Sequence, residues 1–208
     1  PKVTEYASDA IYVIVSNPVD IITYAITKIS GLPQCRVIGS GTILDTSRLR
    51  QIAAESMGLA PSSVHAYVFG EHGDTAVIPW SLASIAGMPV HAYCAHTGHD
   101  PLALSSIESD VRTSGAKVIG MKGATYYAIA ISAARICESI LRDTHSILTL
   151  STLLHGQYGI DDVCLSLPCE ISVKGIEQVI APPLTPEETA KLRDSADTLK
   201  EIIRSLHI

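Results

Sequence analysis

The sequence predicts an α/β fold in which the last strands of a doubly wound parallel sheet lead into a longer, mixed α+β region. Three observations carry this. Ile11 to Val15 reads IYVIV, a continuously apolar and β-branched run of the kind found in parallel strands covered on both faces by helices. Ile21, Ile22, Ala25, Ile26 and Ile29 then recur at helical spacing, and Arg36 to Ile38 supplies a second short strand, so the chain opens in strand-helix-strand order. Near the other end, Ile147 to Leu154, Val163 to Val173 and Ile176 to Ile180 are strands joined by short turns, which makes them antiparallel.

Residues 1 to 10 are mixed in polarity and read as the frayed end of a helix. A glycine-rich fingerprint opens the first strand-helix unit of a doubly wound sheet, and none stands before Ile11, so the chain is expected to enter its sheet several units in. Asn17 and Pro18 end the first strand. Proline biases the residue before it toward an extended conformation, which projects the Asn17 amide from the carboxyl edge of the sheet, where open sheets bind ligands. A turn or a helix cap is the other use of an Asn-Pro pair. The sequence Gly39, Ser40, Gly41 after the second strand imitates a dinucleotide fingerprint, but Leu44 stands where the third glycine belongs and no ribose-binding acid follows about 20 residues on. These glycines are expected to make a tight strand-to-helix turn.

Thr42 to Met57 reads as a helix that stops before Gly58 and Pro61. Asp45 and Arg48, three residues apart, share one face of it, while Arg50 is swung roughly 200° round the axis from Arg48. Val64 to Phe69 is short, β-branched and aromatic, a strand running into the loop Gly70, Glu71, His72, Gly73, Asp74. Imidazole exchanges a proton readily near neutral pH, so His72 is the candidate acid/base. Asp45 could accept the proton on one ring nitrogen and leave the other facing substrate. Arg48 could grip a carboxylate bidentately with its planar fork.

Further along, Ala76 to Ile85 is an apolar segment containing Trp80. His91, Cys94, His96, His99 and Asp100 are donor types that suit zinc, but their spacing fits no standard site, and Gly98 with Pro101 predicts a mobile loop there. Ile107 to Met121 and Thr125 to Arg142 are two helices broken at Gly123, with apolar residues Ile107, Val111, Val118, Ile129, Ile136 and Ile140 at helical spacing. The last helix opens on a capping box, Thr185 with Glu188, and carries one apolar stripe of Leu192, Ala196, Leu199, Ile203 and Leu206.

Composition narrows the partners. The 208 residues are enough to bury a substantial core. A formal charge of −6 without a Lys/Arg cluster argues against nucleic acid and anionic membrane. The sequence has no apolar run of about 18 residues and no leader at its start, which places the protein in the cytoplasm. Cys35, Cys94, Cys137, Cys164 and Cys169 are scattered, odd in number and never in a C-x-x-C pair, as expected of reduced thiols.

Five blocks in register carry a resemblance: SNPVD at Ser16 to Asp20, RVIGSGTILDTSRLR at Arg36 to Arg50, GEHGD at Gly70 to Asp74, KGATYYAIA at Lys122 to Ala130, and LTPEETAKLRDSADTL at Leu184 to Leu199. Together they resemble the L-lactate dehydrogenases of the lactate/malate dehydrogenase superfamily over the whole chain. The resemblance implies a C-terminal remnant of a Rossmann NAD-binding domain over residues 1–40 and a substrate-binding, catalytic domain over 41–208. It implies NAD-dependent interconversion of L-lactate and pyruvate, as in glycolysis and fermentation, with catalysis by His72, Asp45 and Arg48.

It also assigns Arg48, Asn17 and Thr125 to substrate, and Asn17, Ser16 and Ile129 to the cofactor. Thr125 would stand beside the small side chain of the substrate, although a helix cap is an equal use for it. The family's carbonyl-polarising arginine and its substrate-selecting neighbour belong N-terminal to this sequence. In bacterial relatives the arginine matching Arg50 and the histidine matching His65 bind fructose 1,6-bisphosphate between subunits, which implies an allosteric homo-oligomer, a tetramer. Two alternatives stand beside this: a malate dehydrogenase of the same superfamily, which Thr125 disfavours, and a domain that associates without turning over, since the adenine and pyrophosphate sites fall outside these residues.

Overall fold

The computed structural model describes residues 2–123 and 126–206. A short helix, α1 (Lys2–Tyr6), leads to strand β1 (Tyr12–Ile14), helix α2 (Val19–Ser30), strand β2 (Val37–Gly39) and helix α3 (Ile43–Ser56). A small sheet follows, made of β3 (Val64–His65), β4 (Ser84–Ile85) and β5 (Met88–Pro89). Helices α4 (Val90–Thr97), α5 (Leu104–Lys122) and α6 (Tyr127–Leu141) come next. The chain ends in the antiparallel strands β6 (Ser146–His155), β7 (Asp161–Ser172) and β8 (Gly175–Val179) and the helix α7 (Pro186–Ser205).

The main sheet runs in the order β1-β2-β6-β7-β8. β1 and β2 are parallel, with Tyr12 opposite Val37 and α2 as the crossover between them. β2 meets β6 antiparallel through Gly39 opposite Ser151, and β6, β7 and β8 form the antiparallel meander that short turns demand. β6 and β7 lie in the middle of the sheet. Leu150, Leu154, Leu165 and Leu167 along them are fully buried, as near-continuous apolar strands covered on both faces should be.

The α7 stripe of Leu192, Ala196, Leu199 and Ile203 packs on one face of this sheet with Phe69 and Leu165. Ile136 and Ile140 of α6 pack in a separate cluster with Ile38 and Leu150. The capping box that starts α7 is complete: the N–H of Glu188 donates to Thr185 Oγ1 at 3.2 Å, and the N–H of Thr185 donates to Glu188 Oε2 at 3.0 Å. Leu206 lies beyond the helix end and is exposed, so the stripe stops at Ile203.

The Gly39 to Gly41 turn is as tight as its composition predicts. A Cβ on Gly39 would come within 2.5 Å of Thr23 Oγ1, and one on Gly41, where φ is +52°, within 2.6 Å of the Ser151 backbone nitrogen. These glycines let the start of α3 lie directly on β6 and β7. Thr42 completes the contact by donating its N–H to Ser166 Oγ at 3.1 Å.

Four expectations change. Helix α2 turns Val19, Asp20, Thr23 and Tyr24 inward, whereas Ile22, Ala25 and Ile26 are half-buried and Ile29 is exposed. Both stripes have helical spacing, and the close approach of α2 to Gly39 selects the one with the smaller Thr23, whose hydroxyl is satisfied by the Val19 carbonyl at 2.7 Å. β1 is half-buried rather than buried, because it pairs only with β2 among the described residues. The strand from Val64 is regular only to His65. Beyond it Phe69 pairs with Val77 and Gly70 with Ser166, so one stretch of backbone serves two sheets. The histidine-rich stretch is helix α4 through His91, Cys94 and His96, since Val90 and Cys94 fall one turn apart and both enter the core around Leu49 and Val64, and only His99 and Asp100 lie in the loop after Gly98. Among the described residues no three His, Cys, Asp or Glu side chains converge on a metal position.

Candidate active site

The site forms where α3, the carboxyl end of β1 and the Gly70 to Asp74 loop meet. Helical spacing puts Arg48 Nη1 3.2 Å from Asp45 Oδ1, as expected for residues three apart. The loop is fastened at three consecutive residues. Gly70 exchanges both backbone hydrogen bonds with Ser166 of β7, each 3.0 Å long. The Glu71 N–H donates to Ser195 Oγ of α7 at 3.0 Å, and the His72 N–H donates to Asp20 Oδ2 of α2 at 2.8 Å. Gly70, with φ at +85°, packs so closely on α7 that a Cβ would reach 2.9 Å from Ser195 Oγ.

Held this way, the His72 ring brings Nδ1 to 2.5 Å from Asp45 Oδ2. With Asp45 Oδ2 as the acceptor in this contact, Nδ1 bears the hydrogen and Nε2 is left for a ligand. The hydrogen bond to Asp45 pushes the His72 pKa above its ordinary value, and the charges of Asp45 and Asp20 add to it. Desolvation and the Arg48 charge work against the rise. Asp20 is held at about 6, above the usual carboxylate range, because burial outweighs the hydrogen bonds from Ser151 and the His72 backbone.

A cavity of about 440 Å³ opens on these groups, and Asn17, Asp45, Arg48, His72 and Ile129 all line it. Five of the residues predicted from the sequence are thus brought together from four separate segments. Ser16 is exposed and stands outside the cavity wall. Thr125 lies outside the described residues. Arg50 and His65 sit elsewhere: Arg50 Nε donates to the Ala66 carbonyl at 3.0 Å and its guanidinium lies 5.1 Å from the Tyr67 ring centre, while the exposed His65 is the residue before that carbonyl.

Sequence reasoning missed Asp20 and Arg112. Asp20 is an acid in the first turn of α2 directly after Asn17 and Pro18, but the isoleucine stripe marks the opposite face as the apolar one. Arg112 lines the cavity from α5, donating to the Ala76 carbonyl at 3.3 Å and standing 3.6 Å from Glu108, and nothing in the periodicity of its helix marks it. A second, more apolar cavity of about 470 Å³ under α4, lined by Trp80, Val90 and Cys94, shares no residue with the first. Of these two cavities, the first combines a paired histidine, an arginine and a sheet edge.

Fold and site together define a class, an α/β protein with a carboxylate-paired histidine and an arginine lining one cavity at the carboxyl edge of a partly parallel sheet. Comparison of sequences gives the family. The model of the lactate/malate dehydrogenase α/β C-terminal domain matches residues 42–207, and that of the lactate/malate dehydrogenase NAD binding domain matches residues 1–39. The chain belongs to the lactate/malate dehydrogenase family.

It is 48% identical over 209 residues to an L-lactate dehydrogenase of Acetivibrio thermocellus, covering 100% of this chain and 66% of the relative. It is 48% identical to L-lactate dehydrogenase 1 of Clostridium acetobutylicum, covering 99% of this chain and 66% of the relative. An L-lactate dehydrogenase of Thermoanaerobacterium saccharolyticum is 45% identical, with coverage of 100% and 68%. The chain thus spans about two thirds of the length of these relatives. No helix among the described residues is long and apolar enough to cross a membrane.

Proposed function

We propose that the protein is an NAD-dependent L-lactate dehydrogenase in which residues 1–40 belong to the NAD-binding domain and residues 41–208 form the substrate domain. One observation carries this reading, the contact of 2.5 Å between His72 Nδ1 and Asp45 Oδ2 in the same cavity as Arg48. It leaves Nε2 of the imidazole free to exchange a proton with a ligand whose carboxylate Arg48 can hold. The names of the relatives support lactate and pyruvate as the substrate pair.

The residues present fit the nicotinamide end of NAD. Val15 and Ile129 give the cavity an apolar wall, and Asn17 adds an amide at the end of β1. When bound, the reduced cofactor supplies the hydride. Arg48 fixes the pyruvate carboxylate and so orients the carbonyl. His72 as imidazolium donates from Nε2 to the carbonyl oxygen as charge builds there, while Nδ1–H stays on Asp45. For lactate the neutral ring accepts the hydroxyl proton, and Asp45 stabilises the imidazolium that results.

Oxaloacetate is the second reading, and Arg112 favours it, because a second guanidinium in the cavity could meet a second carboxylate. Mixing the protein with NADH and either oxo acid, and following the nicotinamide absorbance, separates the two. Faster oxidation with pyruvate is expected, faster oxidation with oxaloacetate would move the protein to the malate branch, and none with either would remove both.

We also place the protein in the cytoplasm, which its five unpaired cysteines support. We assign Arg50 and His65 to a fructose 1,6-bisphosphate effector site between subunits of a tetramer. The geometry favours a shared surface, since Arg50 is tied to the carbonyl next to His65 and His65 is exposed. Two such pairs across a twofold axis would repel until a bisphosphate neutralised them. At limiting pyruvate the bisphosphate should therefore raise activity and the sedimentation coefficient together, and Arg50→Gln should abolish both responses. Equal responses in the two proteins would return Arg50 to an ordinary surface charge.

A further inference from the structure

Asp20 has no place in the proton transfer described above, yet it is the most deeply buried carboxylate of the site. It is 3% exposed and lies between α2, β6 and the His72 loop. Both of its oxygens are used: Oδ1 accepts from Ser151 Oγ at 2.5 Å and Oδ2 from the His72 backbone N–H at 2.8 Å. A carboxylate removed from water costs several kcal/mol unless it is compensated, and an apolar residue could fill the inner face of α2 as well. A buried charge kept at this point therefore has work to do on what it touches.

We propose that Asp20 is a positioning residue for His72, in which its carboxylate anchors the loop backbone so that the ring meets Asp45 and its negative charge holds the proton on the imidazole. The inference rests on the acid/base role given to His72. Geometry supports the first half, because the loop is anchored on β7 at Gly70, on α7 at Glu71 and on α2 at His72, and only the last anchor is ionic. Charge supports the second half. The groups facing His72 are Asp45 and Arg48 from α3 and Asp20 from α2, and those facing Asp20 are His72, Glu71 and Cys164 of β7. Burial keeps the Cys164 thiol neutral, so the proton balance rests on the His72 cation between two carboxylates, tempered by Arg48.

The arrangement gives Asp20 a measurable signature. Asp20→Asn keeps an oxygen that can accept the His72 N–H and removes the charge. The His72 ring should then titrate roughly half a unit to one unit lower, read from its imidazole resonances by NMR. The pH at which pyruvate reduction falls off should drop by the same amount, with kcat for reduction down about threefold to tenfold and KM for pyruvate within about twofold.

A merely structural Asp20 would leave the His72 titration where it is. A shift smaller than about 0.2 unit therefore overturns the proposal. Ser151→Ala covers the case in which Asp20→Asn does not fold. Losing the Ser151 hydrogen bond raises the Asp20 pKa, so His72 should again titrate lower, and an unchanged titration overturns the proposal in this variant also. The NMR readout needs no turnover. A shifted titration in a protein that reduces neither oxo acid would keep Asp20 as the charge that sets His72 and reject the dehydrogenase reading alone.

Discussion

Replacing His72 with Asn in the full-length protein should lower the single-turnover rate of pyruvate reduction about 10² to 10⁴ fold while NADH binding stays within about twofold, because positioned general acids contribute on that scale. Asparagine preserves size and can still donate to Asp45, so the loss isolates the proton that Nε2 would deliver. The pH dependence gives the same answer from another side. The His72 pKa is raised above 6.5, chiefly by its hydrogen bond to Asp45. Reduction needs the protonated ring, so its kcat/KM should be full below that raised pKa and fall as pH rises through it. Lactate oxidation needs the neutral ring and should rise over the same interval. A His72→Asn protein that kept the wild-type pH profile, or a rate within about tenfold, would take the proton transfer away from this residue.

The linkage to folding has the same sign. A base whose folded pKa is raised stabilises the folded state fully below its unfolded value, and that contribution disappears as pH rises through the folded value. Asp20 follows the same direction for a different reason. Its carboxyl, raised to about 6 by burial, contributes stability below the ordinary value of 3.8 and loses it as pH climbs toward 6, where the buried group must ionise. The site is thus maintained at neutral pH against the preference of its own buried acid, as expected where a charge is kept for chemistry rather than for stability.

Much of this was legible in the sequence, and the places where it was not share a cause. Asp45 and Arg48 could be placed together because helical spacing is a local rule, and the antiparallel meander followed from turn length alone. His72 could be named from its chemistry. Its partner on α2 could not, because the bond from Asp20 to the His72 backbone spans 52 residues and depends on which stripe of α2 faces the sheet. Periodicity gives the width of a buried face but not its choice when two stripes qualify, and here the close approach at Gly39 made the choice. Helix α4 is obscured in the sequence for a related reason, since Gly98 and Pro101 do end a helix but the polar histidines before them mask the Val90 and Cys94 pair that docks it.

The Arg48→Lys variant should raise the KM for pyruvate roughly 10 to 10² fold, and its cause can be told apart from a loss of charge. In the structure Arg48 gives Nη1 to Asp45 Oδ1 at 3.2 Å and still faces the cavity, so one rigid fork can serve the carboxylate beside it and a carboxylate in front of it. Lysine keeps the charge and offers its hydrogens from a single point. It must give up either Asp45 or the second oxygen of the substrate, a charge-assisted hydrogen bond worth about 1.5–3 kcal/mol. The electrostatics at His72 should hardly change, because the Arg48 charge that opposes its protonation is retained. Steady-state kinetics on Arg48→Lys and Arg48→Gln then separate the two effects. Lysine should give a raised KM with the pH profile of reduction in place, and glutamine a raised KM with that profile displaced to higher pH, since the opposing charge is gone. If lysine left KM within about threefold of the wild type, the carboxylate would be held by another group, and Arg112, the other guanidinium lining the cavity, would be the next to replace.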